Sequence, residues 1–113
     1  MMRSFTLTLA SDGSVYNIWT LMNAVSGAIP SGAILPDRVA LLKIKSDPGN
    51  GGATAEIFDT ILTTTATGGG GPILYAGDVE QFGPFPMNCI CIRDFNIQGS
   101  ANSLTIEVTL VSI

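Results

Sequence analysis

Nine acidic residues and no histidine set the terms of any chemistry this 113-residue chain performs. Without imidazole there is no Ser-His-Asp triad, no Cys-His dyad and no ordinary general base near neutral pH. Acid–base work falls to carboxylates, and two pairs are close enough in sequence to consider. Glu56 and Asp59 lie three apart, while Asp78 and Glu80 lie two apart and would share a strand face. Such spacing arises by chance in an acidic chain, and no third group stands nearby in sequence to orient either pair. We read them as solvated or turn-capping side chains, and the chain as non-enzymatic.

The remaining reactive groups are Cys89 and Cys91. On a strand this spacing points both side chains the same way, at a separation poorly suited to a disulfide, so reduced thiols and cytosolic synthesis are expected. As metal ligands they would supply half of a tetrahedral zinc site whose other half would have to be carboxylate, a set that structural sites avoid. Asp47 and Asn50 offer hard oxygens for calcium, but their loop lacks the alternating carboxylates and closing glutamate of an EF-hand. The four glycines at 68–71 are not followed by Gly-Lys-Ser/Thr opening a helix, so they read as a flexible loop and not as a phosphate cradle. No metal and no cofactor is expected.

The formal net charge is −4, and Arg3, Arg38, Lys43, Lys45 and Arg93 are scattered, which argues against a nucleic-acid partner. No apolar run reaches the roughly 18 residues of a membrane helix. The opening Met1-Met2-Arg3-Ser4-Phe5-Thr6-Leu7-Thr8-Leu9-Ala10 alternates with threonine and reads as mature protein, not as a signal peptide. Charged residues make up 12% of the chain, about half the usual share, and mean hydropathy is +0.42. A surface this poor in charge is expected to be covered by copies of the chain itself or by a partner.

The elements that must carry these residues are short. Phe5, Leu7 and Leu9 alternate with Ser4, Thr6 and Thr8 in a first strand. Val15, Ile18, Leu21, Met22 and Val25 then fall at helical spacing, predicting a helix over 15–25 with Ser14 as N-cap and Gly27 as stop, and with Tyr16 and Trp19 plugging one end of a core. A Gly/Pro-punctuated loop at 26–37 leads to a strand at Arg38–Ser46 that exposes Lys43 and Lys45. The turn residues at 47–52 predict a hairpin into a strand at Ala53–Phe58, with another short strand in 59–67. Ile73-Leu74-Tyr75, a turn at 76–78 and Val79–Phe82 follow, and the prolines among Phe82–Met87 belong outside the ladder. Residues 88–98 form the best strand, bulged near Asp94. Leu104–Leu110 is read as its hairpin partner, with Val111-Ser112-Ile113 tucked in. About six to eight strands with turn signals every 8 to 12 residues predict one all-β domain, an antiparallel β-sandwich of jelly-roll or immunoglobulin-like type.

What remains is surface. Phe82, Phe85 and Met87 in the proline cluster, Ile34 and Leu35 in the apolar loop, and Met1 and Met2 at the start are the interface candidates. Two readings of that surface compete. A carbohydrate- or receptor-binding module would stack a sugar ring on Trp19, Tyr75, Phe82 or Phe85.

The other comes from resemblance. The threonine-rich first strand, the segment Tyr16-Asn17-Ile18-Trp19-Thr20-Leu21-Met22-Asn23-Ala24-Val25, the Gly-Asn-Gly turn at 49–51, the glycine run before Ile73-Leu74-Tyr75-Ala76-Gly77-Asp78 and the closing Ile92-Arg93-Asp94-Phe95-Asn96-Ile97-Gln98-Gly99-Ser100-Ala101 resemble small β-sandwich decoration or cement proteins of tailed-bacteriophage capsids. The resemblance spans most of the chain as a pattern and rests on no invariant motif. It implies a homo-oligomer made in the host cytoplasm and carried on the virion surface. There it would lock neighbouring major capsid protein subunits together by binding alone, with strand edges and the N-terminal arm as contact elements. The long glycine run and the low charge depart from that pattern.

Overall fold

The computed structural model describes residues 2–10, 14–25, 37–59, 72–100 and 103–113, with 58 and 59 as backbone. Along them run β1 (Met2–Leu9), β2 (Val15–Asn17), α1 (Ile18–Ala24), β3 (Arg38–Val39), β4 (Leu41–Ser46), a 3-10 turn (Pro48–Asn50), β5 (Ala55–Asp59), β6 (Ile73–Leu74), β7 (Val79–Phe82), β8 (Ile90–Cys91), a second 3-10 turn (Ile92–Asp94), β9 (Phe95–Gly99) and β10 (Leu104–Val111). The period-two pattern sets the faces of the long strands. β1 buries Phe5, Leu7 and Leu9, β4 buries Leu42 and Ile44, and β10 buries Leu104, Ile106, Val108 and Leu110.

Every pairing is antiparallel, and the pairs are nested. The first strand pairs with the last, β2 with β9, β3 with β8, β4 with β7 and β5 with β6. The chain is therefore one long ribbon folded back on itself. Further pairings of β10 with β4 and of β9 with β5 close it into two facing sheets, ordered β1-β10-β4-β7 and β2-β9-β5-β6. This is the double Greek key of a jelly roll, which decides between the two sandwich types expected from the sequence.

Local patterning misplaced several boundaries. Val15, Tyr16 and Asn17 do not open a helix but pair with Gln98, Ile97 and Asn96, because Val and Tyr suit a ladder when one is on offer. The helix starts one turn later, capped by Asn17 in place of Ser14: the Asn17 Oδ1 accepts from the Thr20 N–H at 3.1 Å. It ends at Ala24, with Val25 as its C-cap; Gly27 lies outside the described residues. The strand expected at 38–46 breaks at Ala40, which donates to the Val111 carbonyl and accepts from the Phe85 N–H. The expected bulge near Asp94 is a full 3-10 turn.

Two expected hairpins are absent. β4 and β5 lie in different sheets, as do β9 and β10, so both turns carry the chain across the sandwich instead of along a sheet. Of the strand expected in 59–67 only Asp59, the last residue of β5, is described; the rest of it, the glycine run and the 26–36 loop lie outside the described residues.

Candidate functional site

Strand direction gathers the connections at two ends. One end holds the start of β1, the finish of β10, α1 and the proline loop 83–89. That loop is fixed by backbone. Gly83 has φ +92°, and a Cβ there would collide with the Ala40 carbonyl oxygen. The Phe85 N–H donates to that same oxygen at 2.9 Å. Further on, the Asn88 side chain donates to the Ile113 carbonyl at 2.8 Å and accepts from its N–H at 3.0 Å. Between these clamps Phe85 is 45% and Met87 63% exposed, and at the same end Met2 is 72% and Ile113 73% exposed. The register sets Met2 beside Val111 and Val111 beside Leu41, so the outer sheet face finishes here in an apolar row.

An open cleft of about 430 Å³ lies beside this loop, floored by Phe82, Phe95 and Ile90 and edged by Phe85, Arg38 and Asp94. The Phe82 and Phe95 rings meet at 5.0 Å with a 53° tilt. Nearby, the Arg93 guanidinium sits 4.9 Å over the Trp19 ring while its Nε reaches Asp37 Oδ2 at 3.1 Å. Asn17 donates to the Arg93 carbonyl at 2.8 Å and to Asn96 Oδ1 at 3.1 Å, tying the start of α1 to the second 3-10 turn.

The opposite end is closed by its own polar groups. The Asn50 amide donates to Ser46 Oγ and the Thr105 carbonyl, each at 2.9 Å, and its oxygen accepts from the Thr105 N–H at 3.0 Å. Asp47 Oδ1 accepts from the Gly49 N–H at 2.7 Å, and Asp78 Oδ2 from the Tyr75 N–H at 3.0 Å. Ser100 and Thr54 exchange bonds of 2.8 and 2.9 Å.

Of the residues singled out from sequence, the fold brings Met2, Phe85 and Met87 to one end. Phe82 belongs to the packing beneath them, half-buried against Phe95, and Met1, Ile34 and Leu35 lie outside the described residues. Ile113, expected to tuck in, is exposed, because β10 ends at Val111 and Asn88 holds the Ile113 backbone outside the ladder. Sequence reasoning missed that Ile113 and Asn88 belong to this end, and it held no signal for it: they are 25 positions apart.

The carboxylates stay apart from one another in role. Asp78 caps its turn, Glu80 is half-buried opposite Ile44, and Glu56 faces Gln98 and Ile73 with its Oε1 buried and unbonded among the described residues. The side chain of Asp59 lies outside the described ones. Cys89 is an exposed and Cys91 a half-buried free thiol. Asp47 and Asn50 have oxygens committed to backbone N–H groups, and among the described residues no three His, Cys, Asp or Glu side chains cluster for a metal.

Comparison with protein-family models, with curated proteins and with solved structures finds no match to this chain. Among the described residues no helix is long and apolar enough to cross a membrane.

Proposed function

We propose that this chain is a non-enzymatic virion structural protein, a capsid decoration or cement protein that binds the outside of the shell and stabilises contacts between major capsid subunits. The jelly roll is shared by capsid and lectin domains, so the fold alone does not choose between them. The observation that carries the reading is the proline loop, which presents Phe85 and Met87 outward between a backbone clamp at Ala40 and a side-chain clamp from Asn88. Large apolar side chains held in one arrangement bind without a large ordering cost, and this is how interface anchors work. Many such contacts, repeated over a shell, add through avidity even when each is weak.

The rival carbohydrate-binding reading has one observation in its favour: Tyr75 is 61% exposed at the polar end, where a sugar would find hydrogen-bonding neighbours. Trp19 serves it poorly, since Arg93 covers one ring face and the core takes much of the rest.

Sedimentation of a native lysate from the source, followed by mass spectrometry of the fast fraction, tests the proposal. The chain is expected there in fixed ratio to a major shell protein. The double variant Phe85→Asp, Met87→Asp is expected to fold and to be missing from that fraction. A wild-type chain that stays at the top of the gradient, and whose Tyr75→Ala variant loses glycan binding, supports the rival instead.

A further inference from the structure

A β-sandwich has four open edges, and three of them here are defended. β6 has two residues and follows Pro72; β2 has three and runs straight into α1. β7 has four, ends at Gly83-Pro84, and turns Glu80 toward the sandwich interior opposite Ile44. Short length, proline and an inward charge are the usual means of stopping one sheet from adding to another. β1 has only the last, and only near its start: Arg3 takes an inward position opposite buried Leu110, and Phe5, Leu7 and Leu9 fill the rest of that face. It runs eight residues without proline, its solvent-facing positions are Met2, Ser4, Thr6 and Thr8, and among the described residues only β10 pairs with it.

We propose that the outer edge of β1 is a self-association site that takes β1 of a second copy, antiparallel and centred on Thr6, joining two four-stranded sheets into one of eight strands. The occupant follows from the strand's own sequence. In an antiparallel pair, opposed residues share a face, so registry about Thr6 sets Ser4 opposite the partner's Thr8 and Thr6 opposite the partner's Thr6 on the outside. On the inside it sets Phe5 opposite the partner's Leu7. Hydroxyl meets hydroxyl and apolar meets apolar, as favourable cross-strand pairs require. The only charge on the strand is Arg3, which this registry sets opposite the partner's Leu9 on the inside; the two-fold axis sends its two copies to opposite ends of the ribbon, where Arg3 is only half-buried. A two-fold contact must be self-complementary in this way.

The inference stands apart from shell binding, which uses Phe85 and Met87, and its test needs no virion. Sedimentation of the purified full chain over a concentration series is expected to show dimers. Thr6→Lys would set two ammonium groups directly opposite each other and is expected to weaken association at least tenfold. Within its own sheet the new lysine faces Glu107, so the urea midpoint is expected to hold or rise, which separates lost association from lost folding. In a Cys89→Ser, Cys91→Ser background, Thr6→Cys is expected to cross-link under mild oxidation, since directly opposed Cα atoms lie about 4.5–5.5 Å apart. Glu107→Cys, one strand inward, is expected not to cross-link, being three strand spacings or about 14 Å from its counterpart. A monomer at all concentrations, a dimer undiminished by Thr6→Lys, or equal cross-linking at both positions overturns the proposal, whether the edge is then left open or taken by another protein's strand.

Discussion

The two ends of this jelly roll are built from the same two sheets and are finished in opposite ways. At the polar end, side chains turn back onto backbone: Asn50 alone satisfies three groups, and Asp47, Asp78 and Ser100 each hold a neighbouring N–H. At the apolar end one backbone–backbone bond and the Asn88 side chain hold the loop, and large apolar side chains are left over. Ala40, Phe85, Asn88 and Ile113 lock the loop, while Phe85, Met87, Met2 and Ile113 face outward. The first end holds its turns with its own polar side chains and leaves Tyr75 and Val79 exposed. The second exposes apolar surface that water covers at a cost and that a second molecule can cover without one.

The contrast can be broken hardest at Gly83. Gly83→Ala forces a side chain into a positive-φ backbone and its Cβ against the Ala40 carbonyl, and we expect a loss of about 2–4 kcal/mol in urea denaturation. A loss near zero would mean that the close approach does not hold the loop. At the polar end, Asn50→Ala leaves the Thr105 N–H and carbonyl without their partner, with an expected loss of about 2–3 kcal/mol. It should leave the proposed shell binding untouched, and weakened binding would show that the ends are not independent. Asn17→Ala removes the cap of α1 and its tie to Arg93 and Asn96; about 1–2 kcal/mol is expected, read as an earlier thermal transition. The smallest effect belongs to Asp37→Asn. Its ion pair with Arg93 is exposed on both sides, so stability is expected to move by less than about 0.5 kcal/mol. Trp19 fluorescence should nevertheless shift as the guanidinium loses the anchor that keeps it over the ring.

Face assignment was legible in the sequence and neighbour assignment was not. The alternations of β1, β4 and β10 put Phe5, Leu7, Leu9, Leu42, Ile44, Leu104, Ile106, Val108 and Leu110 inside, as they are. The turns at 47–52 and 99–102 are equally visible and their chemistry predicts hairpins, yet each connection crosses between sheets. A few residues of turn span the strand spacing of about 4.8 Å or the sheet spacing of about 10 Å, and turn chemistry is the same for both. The candidate site shows the same split. Phe85 and Met87 stand out by composition, but their alliance with Met2 and Ile113 comes from strand direction and from the reach of Asn88.

From the sequence alone come an all-β chain, a chain without imidazole chemistry, and the buried face of each long strand. These follow from composition and from a backbone period of two, which any short window contains. Only the folded chain decided that β1 pairs with β10, that the two ends differ, and that among the described residues the long β1 edge is guarded by no more than one charge near its start. Those outcomes depend on contacts such as Ser4 to Thr109, at 3.1 Å and 105 positions apart. No local pattern encodes such a contact, because it is selected by how the whole ribbon closes over its core.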